Sequence, residues 1–296
     1  MNCALIDVGS NTIRMNVYRI RNEKFRLLFS KKATAGIVSY VKEGKLNKEG
    51  IDVLASTLDS YTKVLNQLGI DRCFVFATAS LRNINNTQDV LKVIERKTDI
   101  RINVIDGREE AMLSFQGAAL TFQDETGIYI DVGGGSSEVV AFDERNITSA
   151  CSMPIGSLNL FNMHVKDILP TQPEITEITA HVHRELKRCV SAGADLLFAG
   201  GGSARAVEKL LIHLKMAERK GDVISLDTLL QLQEKLCHPG AAHLLLLCKP
   251  ERIHTFVPGL LIMTEVMKHC GCREMKVSRY GVREGYLMKI TRDLRM

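Results

Sequence analysis

Two stretches of the chain end an apolar run on an aspartate and enter a glycine turn at once: Asp7-Val-Gly-Ser-Asn-Thr12 and Asp131-Val-Gly-Gly-Gly-Ser-Ser137. Successive backbone N–H groups in such a turn can converge on a phosphate, because glycine permits both the dihedrals and the close approach. Gly9, Ser10, Asn11 and Thr12 form the first cradle, and Gly133, Gly134, Gly135 and Ser136 the second. Asp7 and Asp131, at the carboxyl ends of their strands, can each hold a magnesium ion or its waters. One such turn is ordinary loop chemistry; a pair is a clamp for one anion.

A third loop, Phe198-Ala-Gly-Gly-Gly-Ser203, lies between a short strand and a helix whose N-terminus points its dipole at the loop. Gly201, Gly202 and Ser203 are its candidates for phosphate or nucleotide contact, and a plain strand–helix turn is the competing reading. The loop lacks the Lys-Ser/Thr ending of a P-loop and the spacing of a dinucleotide fingerprint. Ile105-Asp-Gly-Arg-Glu-Glu-Ala111 opens a helix with two adjacent carboxylates, Glu109 and Glu110. A water attacking phosphorus needs a carboxylate to orient it and take its proton. Neighbours on a helix diverge, so one of the two faces the site, and the spacing leaves open which; an N-terminal acid complementing the helix dipole is the plain alternative. Arg82, closing Ala77-Thr-Ala-Ser-Leu-Arg82, and Arg14, just past the first glycine turn, are the candidate cations for phosphate oxygens. No histidine earns a catalytic role: His181 and His183, two apart, face different sides of a helix.

Positioning these groups takes a chain of 296 residues, enough for two compact domains and a cleft between them. With 45% hydrophobic and 25% charged residues it is an ordinary globular composition. The net charge of +5 comes from basic residues spread along the chain. A nucleic-acid partner is not expected, and a polyanionic small substrate suits the charge. Eight cysteines with no C-x-x-C and no leading apolar signal read as reduced thiols of a cytoplasmic protein. The longest apolar run, from Ala241 to Cys248, is too short for a membrane span.

Short β-type runs alternate with helical segments, the pattern of α/β architecture. Strands are expected at Cys3 to Val8, Met15 to Ile20, Phe25 to Ser30, Cys73 to Ala77, Ile102 to Ile105, Gly127 to Val132, Glu138 to Phe142, Ile147 to Ser152 and Leu196 to Ala199. Helices are expected near Lys48 to Leu68, with Ile51, Leu54, Leu58, Tyr61, Leu65 and Leu68 on its apolar face, Thr87 to Thr98, Glu109 to Leu120, Gly156 to Val165, Pro173 to Ala192, Gly202 to Lys215, Leu226 to Cys237, Pro258 to Cys270 and Gly281 to Asp293. The opening of the first half is replayed in the second, so the halves divide as 1–122 and 123–296, with the last helix returning to the first domain.

At this point the chain resembles the exopolyphosphatase/guanosine pentaphosphatase phosphohydrolases of the actin, sugar-kinase and heat-shock-chaperone superfold. The resemblance rests on Ile6-Asp-Val-Gly-Ser-Asn-Thr12, Thr78-Ala-Ser-Leu-Arg82, Ile105-Asp-Gly-Arg-Glu-Glu-Ala111, Ile130-Asp-Val-Gly-Gly-Gly-Ser-Ser-Glu138, Pro154-Ile-Gly156, Ala199-Gly-Gly-Gly-Ser203, Phe256-Val-Pro-Gly259 and Gly281-Val-Arg-Glu-Gly285. It implies a two-domain actin-like ATPase fold of ribonuclease H-like, duplicated halves. It also implies Glu110 as catalytic base, Arg82 on phosphate, and Asp131, Glu138 and Asp7 at a magnesium or other divalent ion. Polyphosphate or guanosine pentaphosphate would be the substrate, and a homodimer the assembly. Longer members carry further helical domains beyond the region matching Gly281 to Asp293, so a preference for shorter polymers is expected. The rivals are an ATP-dependent kinase of the same superfold and a non-enzymatic phosphate or nucleotide sensor.

Overall fold

The computed structural model describes residues 1–21, 24–122, 126–189, 193–238, 240–246 and 252–293. Contacts divide the chain into two compact units, Met1–Asp106 with Lys289–Met296, and Gly107–Met288.

The first unit opens with β1 (Asn2–Val8), β2 (Thr12–Arg21) and β3 (Lys24–Thr34), an antiparallel meander. A 3-10 turn at Ile37–Tyr40 and the two-residue strands β4 (Val41–Lys42) and β5 (Lys45–Leu46) lead into α1 (Lys48–Gln67). Asn47 caps α1 by accepting from the Gly50 N–H at 2.9 Å, satisfying one of the helix's orphan donors. Then follow β6 (Cys73–Ala77), the single turn α2 (Ala79–Arg82), α3 (Thr87–Thr98) and β7 (Ile102–Val104). The sheet order is β3-β2-β1-β6-β7, with β6 parallel to both β1 and β7. Leu54, Leu58, Tyr61 and Leu65 of α1 are buried with Ile6, Val8, Ile13 and Met15, so the predicted helical stripe is the core stripe. Leu68, expected on that stripe, is 51% exposed, because the helix has ended at Gln67.

The second unit begins with α4 (Gly107–Ala118) and repeats the meander as β8 (Gly127–Val132), β9 (Ser137–Asp143) and β10 (Asn146–Met153). It continues through α5 (Ser157–His164), α6 (Gln172–Cys189), β11 (Leu196–Gly200), α7 (Gly201–His213), β12 (Ile224–Ser225), α8 (Leu226–Leu236), α9 (Ala242–Leu246), α10 (Ile253–Cys270), β13 (Glu274–Val277) and α11 (Val282–Asp293). Its sheet order is β10-β9-β8-β11-β13-β12, with β11 parallel to β8 and β13. The sequence division after residue 122 lies between α4 and β8. Residues 190–192, at the end of the helix expected over Pro173 to Ala192, lie outside the described residues, as does Cys248.

Three readings need correction. α10, expected from Pro258, starts five residues ahead of it and carries that proline inside; burial of Phe256, Val257, Leu260 and Leu261 holds the helix through it. β13 is an addition to the expected strands: Glu274-Met-Lys-Val277 alternates polar and apolar residues, but a run of four is too short to stand out from a turn. Cys151 of β10 and Cys189 of α6 are disulfide-bonded, with Cα atoms 5.9 Å apart, where free thiols were expected. They are 38 residues apart in sequence, and only the approach of α6 to β10 brings them together. Among the described residues, no helix is long and apolar enough to cross a membrane.

Candidate active site in the second unit

β8 carries Asp131 out of the core. Its cross-strand partner on antiparallel β9 is Glu138, so both side chains emerge on one face of the sheet. Glu138 is 2% exposed, and Glu110, on the first turn of α4, is 7% exposed. Glu138 Oε1 accepts from Ser136 Oγ at 2.7 Å and from Ser152 Oγ at 2.8 Å. Burial pushes its carboxyl well above the usual range, and the charges of Glu110 and Asp131 push it further. Glu110, Asp131 and Glu138 therefore interact as one acidic group. Glu109, by contrast, is not among the buried polar residues, which separates the two neighbours that the sequence left equal.

Asp131 is held from several elements. Oδ2 lies 3.4 Å from Ser114 Oγ on α4 and 3.5 Å from the Tyr129 hydroxyl on its own strand. Burial raises its carboxyl above the ordinary range, opposed first by the charges of Arg205 and Arg283 and then by those two hydroxyls. The third glycine loop turns out to be a seat for these groups. A Cβ on Gly200 would strike the Tyr129 hydroxyl, one on Gly201 the Asp131 carboxylate, and one on Gly202 the Arg252 guanidinium. Gly201 also has φ +78°, a backbone region that side chains disfavour. Ser203 Oγ donates to the Val132 carbonyl at 3.2 Å, tying α7 to the end of β8.

The second glycine turn closes with Gly133 N–H donating to Ser136 O at 3.0 Å. Ser157 N–H donates to the carbonyl of Gly133, and Leu158 and Asn159 N–H to that of Gly134, so the start of α5 grips the turn by its oxygens. The N–H groups of Gly134 and Gly135 take no part in these bonds, which suits an anion. In the first unit, Gly9 N–H donates to Thr12 O at 3.1 Å, the same closure. The carbonyls of Ser10 and Asn11 accept from Val38 and Gly36, and Ser80 Oγ donates to the Val8 carbonyl at 2.5 Å as Ser203 does to Val132. There Asp7 stands opposite Arg14 on β2, and Arg82 reaches the Ile105 carbonyl at 3.3 Å.

Ser114, Tyr129, Ser152, Arg205 and Arg283 escaped the sequence reading. Two had a usable signal: Ser114 is one helical turn past Glu110, and Tyr129 is two residues before Asp131, hence on the same face of the strand. Among the described residues, no group of three or more His, Cys, Asp or Glu side chains is placed to hold a metal ion. Two opposed carboxylates still fit magnesium, which takes one or two protein carboxylates and completes its shell with water and substrate phosphate.

A family model described as the Ppx/GppA phosphatase family matches residues 16–293. Among curated proteins, one named Exopolyphosphatase 1 from Mycobacterium tuberculosis is 25% identical over 302 residues, covering 98% of this chain and 88% of that protein. Its namesake from Mycobacterium leprae is 26% identical, covering 98% and 89%. Among solved structures, the Ppx/GppA family member of Aquifex aeolicus aligns with a TM-score of 0.84 at 22% identity, covering 100% of this chain and 99% of that one. An exopolyphosphatase from Cytophaga hutchinsonii aligns at 0.85 and 21%, covering 99% and 98%. At these identities the structural likeness shows the fold, the two-unit α/β actin-like ATPase superfold.

Proposed function

The chain belongs to the Ppx/GppA phosphatase family, and from that premise we propose that it is a phosphoric anhydride hydrolase, an exopolyphosphatase releasing terminal orthophosphate from inorganic polyphosphate. The observation that supports this most is Asp131 opposed to Glu138 across β8 and β9 at the mouth of the glycine turn, with the charge of the buried Glu110 acting on Glu138. Excess negative charge beside a glycine turn suits a cation and a phosphate arriving together.

In this reading Glu110 orients a water and takes its proton as the oxygen attacks the terminal phosphorus in line with the departing bridging oxygen. The amides of Gly134 and Gly135 donate to phosphoryl oxygens as their charge develops. Asp131 and Glu138 would hold a divalent ion, magnesium by the all-oxygen donor set, which when bound neutralises charge on the phosphoryl oxygens. Asp7, Arg82 and the turn from Gly9 to Thr12 are proposed on the same chemistry: a carboxylate, a guanidinium and turn amides, each able to serve a phosphate or its cation. A cytoplasmic homodimer belongs to the same proposal.

Guanosine pentaphosphate ends in the same kind of phosphoric anhydride, and its hydrolysis is the second reading. The test is magnesium-dependent phosphate release from polyphosphate and from guanosine pentaphosphate in parallel, comparing the parent with Glu110→Gln. Release from polyphosphate that falls at least about 100-fold in the variant supports the proposal. Release from guanosine pentaphosphate alone selects the second reading, and release indifferent to the substitution overturns both.

A further inference from the structure

Strands β2 and β3 carry seven basic residues and no acidic one: Arg14, Arg19 and Arg21 on β2, and Lys24, Arg26, Lys31 and Lys32 on β3. Asn22 and Glu23, which join the strands, lie outside the described residues. At the end remote from the Gly9–Thr12 turn, the register sets Arg19 opposite Arg26 and Arg21 opposite Lys24, and all four are exposed. Residues two apart on a strand share a face, so the two pairs form a square of positive charge with edges of about 5 and 7 Å. Like charges directly opposed destabilise a sheet, and here two such pairs follow one another. Among the described residues, Arg19 Nε reaches only the neutral Asn2 Oδ1, at 3.4 Å, and none of the four is paired with a carboxylate. Basic residues also keep an exposed edge strand from pairing with another chain, and Lys24 and Arg26 on β3 would serve that use. Arg19 and Arg21 do not, since β2 is an interior strand between β1 and β3. A charge square that weakens its own sheet and lies half on an interior strand suits an anionic ligand with repeated charges.

We propose that this face binds polyphosphate, as a second contact that holds a chain away from the end being cut. The inference rests on the reading of the protein as an exopolyphosphatase. Polyphosphate carries a negative charge on every unit, so one molecule can engage all four cations and still present an end elsewhere. Along β2, Arg19 lies about 24 Å from Thr12 of the first glycine turn, at 3.4 Å per residue. Chains too short to cover such a span gain nothing from the square. It adds affinity for long chains and leaves turnover of short ones alone.

The test is binding of end-labelled long-chain polyphosphate, by fluorescence anisotropy, to the full chain carrying Glu110→Gln, which keeps the polymer intact. Turnover of tripolyphosphate is measured in parallel on chains that retain Glu110. Lys24→Glu combined with Arg26→Glu turns both like-charge pairs into opposite-charge ones, so this double variant should melt no lower than the parent. Its long-chain binding is expected to weaken about 10-fold and to depend less on salt, while KM and kcat for tripolyphosphate stay at the parent values. Lys24→Gln combined with Arg26→Gln serves if the charge reversal disturbs folding. Unchanged long-chain binding, or an equal loss on tripolyphosphate, overturns the proposal and leaves the hydrolase reading standing. Single-stranded RNA of matched charge that binds the parent as tightly as polyphosphate, and is lost in the same variant, overturns the choice of ligand. A parent that releases no phosphate from either polymer overturns both readings.

Discussion

Asp131 and Glu138 are directly opposed on adjacent antiparallel strands, two carboxylates where Asp7 in the duplicated half faces Arg14. Like charges set opposite one another destabilise a sheet, and burial deepens the cost. Ser136 and Ser152 on Glu138, and Ser114 and Tyr129 on Asp131, offset part of it with hydroxyl donors. A cation would relieve the remainder, so the pair stores a demand for one.

Stability should therefore depend on pH and on divalent ions together. Both carboxyls are raised above their ordinary values, chiefly by burial. Their contribution is then fully present below the usual carboxylate pKa and is lost as pH rises through the raised values. In chelator, the melting temperature should fall as pH rises above the usual carboxylate range, and Glu138→Gln should flatten that slope. Magnesium added at the alkaline end should restore much of the loss; a parent whose melting is flat across this range would contradict the prediction.

Gly201→Ala should damage the site without unfolding the unit. The new methyl meets the Asp131 carboxylate, and the backbone at φ +78° strains any residue with a Cβ. A cost of about 1–2 kcal/mol from the backbone is expected, with loss of phosphate release well beyond what that cost explains. Thermal melts and turnover measured on the same preparation check the split.

Gly285→Ala should act in the opposite manner, chiefly on stability. The glycine lets α11 lie against the Leu113 backbone of α4, and Gly117 on α4 sits against Gly281 and Gly285 in return. No flexible side chain is available to yield, so a loss of about 3 kcal/mol is expected in denaturant unfolding.

Reducing the Cys151–Cys189 bond should expose two further thiols to a thiol reagent and destabilise the protein by about 4 kcal/mol, given a separation of 38 residues. Cys151→Ser should lose the same amount and become insensitive to reductant. If the parent melts identically with and without reductant, the bond does not contribute.

The sequence by itself determined the duplicated strand–turn–strand openings, because alternation of apolar residues and a glycine after an aspartate are local signals that survive without partners. β6, α3 and β8 lie where their periodicity places them. It also placed Asp131 and the Glu109–Glu110 pair among the candidates, with the choice of Glu110 and the addition of Glu138 coming through resemblance. What only the tertiary structure decided is which groups share one environment. Glu110 is buried and Glu109 is not, since the orientation of α4 against β9 and β10 sets which face is covered. The third glycine loop, read as a phosphate cradle or a plain turn, gives its space to Tyr129, Asp131 and Arg252, side chains brought there from other elements. Arg205 as a counter-charge and Cys151 with Cys189 as a pair were invisible for the same reason. Burial, charge compensation and disulfide pairing are properties of contacts between residues far apart in the chain, and spacing along one chain carries no record of them.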